Sequence, residues 1–223
     1  MTDQHQAVIP VIQDKPWYPS DRWLQRHEML LARAKRVASA ARVVFLGDSI
    51  TEGWCTTGKN LWDEFFAGLP SINLGISGDE TQHVLWRIEH GILDPLQPQH
   101  LILLIGTNNL GNSGHEPSMV SDGIRSILDA VRQRLPDTTI WLISIFPRDR
   151  EPDTELRRKI SIVNQTISTF DNHEDICFLD FSDIFLDDRG YFREELTSDF
   201  LHLNEAGYRI FAEALCHNIP FHS

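Results

Sequence analysis

The chain is short of cysteine, of basic charge and of long apolar runs, and each shortage closes off a class of function. Its three cysteines, Cys55, Cys177 and Cys216, have no C-x-x-C or metal-type spacing. An odd, scattered set is no disulfide framework, so they read as reduced thiols in or near the core. Lys and Arg number 20 against 32 Asp and Glu, a formal net charge of −12. That field repels phosphate backbones and anionic lipid surfaces, which argues against nucleic acid and membrane as partners. No stretch approaches the ~18 apolar residues of a membrane span. The opening "MTDQHQAVIPVIQDKPWYP" lacks a basic start followed by an apolar run of signal-peptide length, so a cytoplasmic protein is expected. Neither G-x-G-x-x-G nor G-K-[ST] is present, and without them no phosphate or dinucleotide cradle, and no cofactor, is expected.

What the chain does have is 41% hydrophobic residues in 223, enough for a substantial core in one domain. Apolar runs bounded by turn residues recur as "VVFLG" (43–47), "SINLG" (71–75), "LILLIG" (101–106), "TIWLISIF" (139–146) and "ICFLDF" (176–181). They are nearly continuous rather than alternating, as in strands covered on both faces. Between them apolar residues repeat at helical spacing: Val84, Leu85 and Ile88 after a candidate cap at Asp79, then Val120 to Leu135, then Leu156 to Phe170. An N-terminal helix (Trp23, Leu24, His27, Leu30) and a C-terminal one (Ala206, Ile210, Phe211, Ala214) complete the pattern. Alternation of this kind predicts an α/β fold, a three-layer α/β/α sandwich on a five-stranded parallel sheet of flavodoxin-like type. Residues 1–20 read as an extended arm, 21–223 as one domain, and "GTNNLGNSGHEPS" (106–118) as a long surface loop.

Ligands of such sheets bind beyond the carboxyl ends of the strands, and the chemistry-bearing residues cluster there. Ser49 follows the first strand, Gly75 and Gly78 the second, Asn108 and Asn109 the third. Ser49 lacks the second glycine of a G-x-S-x-G elbow, that position being Thr51, so it reads either as a nucleophile served by a distant base or as a cap. Most of the ten histidines lie near the termini (His5, His217, His222), in turns or on predicted helices. His202, in "SDFLHLNEAGY", stands between two leucines and ahead of a helix that Asn204 can cap. Asp199 is one turn earlier, close enough to hold Nδ1 and leave Nε2 as an acceptor. A capping Asp199 with a structural His202 stays an open alternative, since D-x-x-H is a short pattern. A metal site is not expected, for want of a second clustered His or Cys ligand. The Gly75 N–H and the Asn108 carboxamide are candidate donors to a developing oxyanion, although glycine and asparagine at strand ends commonly serve only the turn.

Taken together, "GDSI", "NLGISGD", "GTNN" and "DFLHL" resemble the four blocks of the SGNH (GDSL-type) hydrolase family. The resemblance implies Ser49 as nucleophile, His202 as general base and acid, Asp199 as its orienting carboxylate, and an oxyanion hole from Ser49, Gly75 and Asn108. Within the family, "NLGISGDETQHVLWRIEHGIL" (73–93) and "FPRDREPDTELRRKI" are most similar to the catalytic subunits of intracellular platelet-activating-factor acetylhydrolase. That likeness implies a metal-free serine esterase for short, acetyl-type esters, a homodimer, and an acyl pocket narrowed by Ile50 and Leu201. The arm and the 110–118 segment depart from it, so the alcohol side is not carried over. A carbohydrate O-deacetylase with the same site is the alternative, with Trp54 and Trp62 as residues that either stack on sugars or pack. A thioesterase and a non-catalytic dimeric interaction module rank lower.

Overall fold

The computed structural model of the chain describes residues 5–221; the first four residues of the expected arm, and His222, lie outside them. Five parallel strands, β1 (Val43–Gly47), β2 (Ser71–Asn73), β3 (His100–Leu104), β4 (Thr139–Ile143) and β5 (Ile176–Leu179), form one sheet in the order β2-β1-β3-β4-β5. Val43 pairs with Ser71 on one side and His100 on the other, His100 with Thr139, and Ile140 with Ile176. The eight α-helices among the described residues are α1 (Ser20–Val37), α2 (Ser49–Glu52), α3 (Lys59–Phe65), α4 (Thr81–Glu89), α5 (Thr107–Gly111), α6 (Pro117–Arg134), α7 (Glu155–Ser168) and α8 (Glu205–Asn218). None is long and apolar enough to cross a membrane.

Successive side chains along a strand face opposite layers, and the core divides accordingly. Val44, Leu46, Leu101 and Leu103 join Trp23 of α1, Val84 of α4, Ile124 of α6 and Val163 of α7 on one face. Val43, Phe45, Ile102 and Leu104 join Leu61 of α3 and Phe211 of α8 on the other. Both sides of β1 and β3 are therefore buried, which is why those segments read as unbroken apolar runs. This is the expected three-layer sandwich.

Some local expectations change. The 106–118 segment is not a long surface loop: Thr107–Gly111 is the helical turn α5, with Asn108, Asn109 and Leu110 buried, and α6 starts at Pro117. Proline suits that first turn because its missing N–H has no helical partner there anyway. Asp79 does not cap α4. Glu80 does, in a reciprocal arrangement with His83, while Asp79 is turned inward onto Arg87 Nη1 at 2.7 Å. Trp54 and Trp62 are core residues, so they pack. Cys55, Cys177 and Cys216 are unpaired, and Cys216 is exposed rather than near-core.

Candidate active site

With strand order 2-1-3-4-5 the connections leave β1 and β3 towards opposite faces, opening a crevice at their carboxyl ends. Ser49 and Asn108 stand on its two sides. The turn after β1 is held by Asp48, whose Oδ1 accepts the Ile50 N–H at 3.0 Å and caps α2. The cap is thus Asp48, and the Ser49 hydroxyl is left to point outward. Ser49 Oγ lies 3.0 Å from His202 Nε2, and His202 Nδ1 lies 2.7 Å from Asp199 Oδ2. With the ring proton on Nδ1, the carboxylate accepts from it and Nε2 accepts from the serine.

The far partner of this chain is prepared locally. Asp199 Oδ1 accepts the N–H groups of Leu201 at 3.1 Å and His202 at 2.7 Å, an Asx turn that places the carboxylate and the ring on one side. Phe200, between them, takes a positive φ of 57°. The turn is closed at its base by a Thr197–Leu203 bridge and by Thr197 Oγ1, which donates to His202 O at 2.7 Å. Asn204 then caps α8 by accepting the Gly207 N–H. Partial burial pushes the Asp199 carboxyl up, but hydrogen bonds from the His202 ring and from the two backbone N–H groups outweigh it and hold the group below its ordinary range.

The two glycines after β2 have separate tasks. Gly75 donates its N–H to Asn73 Oδ1 at 2.8 Å, so that donor is already engaged. A Cβ on Gly75 would stand 2.3 Å from the Glu52 nitrogen and 2.9 Å from Asp48 O. Its missing side chain therefore lets the loop approach the turn that carries Ser49, and the N–H expected of Gly75 as an oxyanion donor is taken by Asn73. Gly78, at φ +81°, instead lines a cavity of about 370 Å³ with Ser49, Asn108, His202 and Leu201. Its N–H has no acceptor among the described residues. Asn108 donates one amide hydrogen to Asp79 O at 3.0 Å and accepts from Asn112 Nδ2 at 3.1 Å, leaving the second hydrogen for a ligand.

Behind this surface is a buried frame. Asp79, next to Gly78, accepts Trp23 Nε1 and Arg87 Nη1, both at 2.7 Å. Burial raises the Asp79 carboxyl against those two donors and lowers the Arg87 guanidinium against its partner. Glu52 Oε2 accepts the Ser77 N–H at 2.8 Å, and Asn73 Nδ2 donates to Thr51 O at 2.6 Å, tying the glycine loop to α2. Asp48, fully buried with Oδ2 unpartnered among the described residues, is pushed up to about 7 by burial.

Of the two expected acyl-pocket residues, Leu201 reaches the cavity and Ile50 does not. Ile50 is buried in the α3/α8 layer, and its carbonyl accepts the Tyr208 hydroxyl at 2.7 Å. The first turn of α2 aims it inward. Missed by the sequence reading is Trp17 of the arm, which lines the same cavity with Ser77 and Asn112. A tryptophan amid Pro and Tyr carries no signal of its destination.

Comparison with known proteins is consistent with this geometry. A model of the GDSL-like lipase/acylhydrolase family matches residues 45–210. The platelet-activating factor acetylhydrolase IB subunit alpha1 of Homo sapiens is 34% identical over 195 residues, 87% of this chain and 81% of that protein. Subunit alpha2 of Bos taurus is 32% identical over 189 residues, covering 84% and 79%. Among solved structures, a GDSL-like lipase of Bacteroides thetaiotaomicron superposes with a TM-score of 0.71 at 21% identity, covering 86% of this chain and 95% of that one. A catalytic mutant of an acetylxylan esterase from Geobacillus stearothermophilus does so with 0.64 at 18%, covering 82% and 96%. At these identities the two structures speak to the fold alone.

Proposed function

The chain belongs to the GDSL-like lipase/acylhydrolase family and is a hydrolase of esters, and from that premise we propose a serine esterase that removes short, acetyl-type acyl groups through Ser49, His202 and Asp199. The observation that carries this reading is the unbroken Ser49–His202–Asp199 hydrogen-bond chain, 3.0 and 2.7 Å, facing a cavity that Asn108 and Gly78 share. As Ser49 Oγ attacks the ester carbonyl, His202 Nε2 takes its proton, and Asp199 holds the resulting imidazolium in place. The oxyanion is received by the N–H of Ser49, the N–H of Gly78 and the second amide hydrogen of Asn108. His202 then protonates the leaving alcohol. Water, deprotonated by the same ring, opens the acyl-serine and restores the site.

Leu201, beside His202 in the cavity wall, bounds the acyl side, in keeping with the acetyl group in the name of the curated relatives. Unpaired thiols suit a reducing compartment, and we place the enzyme in the cytoplasm. An organophosphate probe tests the site: it labels Ser49 in the wild type and nothing in Ser49→Ala, which also loses turnover of a small acetate ester. Labelling elsewhere, or retained turnover, refutes the assignment. The homodimer belongs to the same proposal and is read by light scattering, where a mass equal to the 25.6 kDa chain refutes it.

A further inference from the structure

The N-terminal arm is zipped along the segment that carries Gly78. Ala7 O accepts the Thr81 hydroxyl at 2.8 Å, and the Val11 N–H donates to Gln82 O at 3.3 Å. Lys15 Nζ donates to Gly78 O at 2.7 Å and pairs with Glu80 Oε1 at 2.8 Å. Between these contacts Gln13 Nε2 donates to Ser77 O at 3.3 Å. Gln13 is wholly buried, and its Oε1 has no partner among the described residues. A buried amide with one end unsatisfied is costly. Packing alone would be served better by an apolar side chain of the same length, so the donated hydrogen bond is what the glutamine provides.

The acceptor of that bond is the central carbonyl of a β-turn. The Asp79 N–H donates to Ile76 O at 3.2 Å, and φ is positive at Gly78, +81°, but not at Ser77, which makes Ile76-Ser77-Gly78-Asp79 a type II turn. Type I and type II turns share their ends and differ by roughly half a turn of the peptide between the second and third residues. Glycine in third place tolerates both, since φ of either sign is open to it. The turn is therefore a two-position element. In a trans peptide the N–H and C=O point in opposite directions. With Ser77 O held by Gln13 on the arm side, the Gly78 N–H is turned to the cavity that Gly78 shares with Ser49 and Asn108. Rotation exchanges the two groups and puts a carbonyl oxygen where an oxyanion has to be received.

The other anchors of the turn do not distinguish its two positions. Glu52 Oε2 accepts the Ser77 N–H at 2.8 Å, and Lys15 binds Gly78 O. Both of those backbone groups belong to the flanking peptides, which rotation of the central one leaves in place. Among the described residues, Gln13 alone donates to Ser77 O.

We propose that Gln13 is a positioning residue of the oxyanion hole, which by holding Ser77 O keeps the Gly78 N–H turned towards the oxyanion. The inference rests on the esterase reading of Ser49 and on Gly78 as a donor. Two variants test it. Gln13→Met keeps the length and removes the donor, whereas Gln13→Glu, at about pH 9 where even a buried glutamic acid ionises, offers only acceptors that repel Ser77 O and attract the Gly78 N–H. On a small acetate ester Gln13→Met lowers kcat about fivefold, the scale of one net hydrogen bond, and Gln13→Glu lowers it about 10², the scale of a lost oxyanion donor. KM stays unchanged in both, because the bond to the oxyanion exists only in the transition state. Wild-type kcat in either variant, or a loss carried by KM, overturns the proposal, and if Gln13→Glu does not fold, Gln13→Met decides by the same split. Crystal structures of the wild type and Gln13→Glu at that pH read the Ser77–Gly78 peptide without turnover, so a failed esterase reading is told apart from a failed positioning role. A rotated peptide in Gln13→Glu supports the role even where the wild type turns over no acetate ester, and an unrotated one overturns it.

Discussion

Replacing Asp199 by Asn separates an orienting carboxylate from a capping one. The amide oxygen can take the place of Oδ1 and keep the N–H groups of Leu201 and His202 at 3.1 and 2.7 Å. The amide nitrogen then faces His202 Nδ1, where Oδ2 had been at 2.7 Å. A donor there forces the ring proton onto Nε2, which can no longer accept from Ser49. Where such a carboxylate is buried, the wrong tautomer costs about 10⁴ in turnover. Here the side chains of His202 and Asp199 are 44% and 48% exposed, so water relieves part of the penalty and a loss of about 10³ in kcat is expected. Stability should fall by less than about 1 kcal/mol, because the turn's backbone hydrogen bonds survive. The assay is kcat on a small acetate ester beside a thermal melt of the same protein. A variant that keeps more than a tenth of its kcat refutes the orienting role. A collapsed melting temperature shows instead that Asp199 is chiefly a structural cap.

Two further outcomes follow from the loops around Ser49. In Gly75→Ala the new Cβ meets backbone atoms at 2.3 to 2.9 Å that cannot swing aside, an overpacking cost above about 3 kcal/mol. Gly78→Ala carries a positive-φ penalty of about 1–2 kcal/mol and displaces only the Trp17 and Gln13 side chains, so equal melting temperatures for the two variants would contradict the separate roles. Burial raises Asp48 to about 7, so folding binds a proton that the unfolded chain, with an ordinary value near 3.9, releases. The resulting cost is absent below both values, grows as pH rises between them and is complete above 7, with a ceiling of about 4 kcal/mol from roughly three units at about 1.4 kcal/mol each. Asp48→Asn, which resembles the neutral acid, should gain stability relative to wild type between pH 4.5 and 8.5 in urea melts. A pH-independent difference refutes this.

The strands were legible because both faces of the sheet are covered, so burial on each side left unbroken apolar runs at 43–47 and 101–106. The site was legible to the extent that the carboxyl ends of parallel strands share an edge. Ser49, Asn108, Asp199 and His202 could be named from that edge and from the spacing of "DFLHL". Which glycine keeps an open N–H was not legible, because Gly75 and Gly78 follow the same strand and a sequence does not show which N–H is already spent. The Asn73 side chain decided it. Ile50 was misplaced for a related reason: the residue after a nucleophile can face cavity or core, and the twist of α2 sends it to the core. Asp79 resembled a cap, yet Arg87 and Trp23, 8 and 56 residues away in sequence, hold it inside.

Sequence alone determined the sheet and its edge of polar strand ends, with Ser49, Asp199 and His202 as candidates, because periodicity and strand-end position are local properties of a chain. Tertiary structure decided which backbone donor is open, which tryptophans are buried and that the arm returns to wall the cavity with Trp17. Those are outcomes of three-dimensional contacts, where the Gly75 N–H donated to Asn73 Oδ1 and the Lys15 ammonium donated to Gly78 O select among local arrangements that the sequence leaves equal.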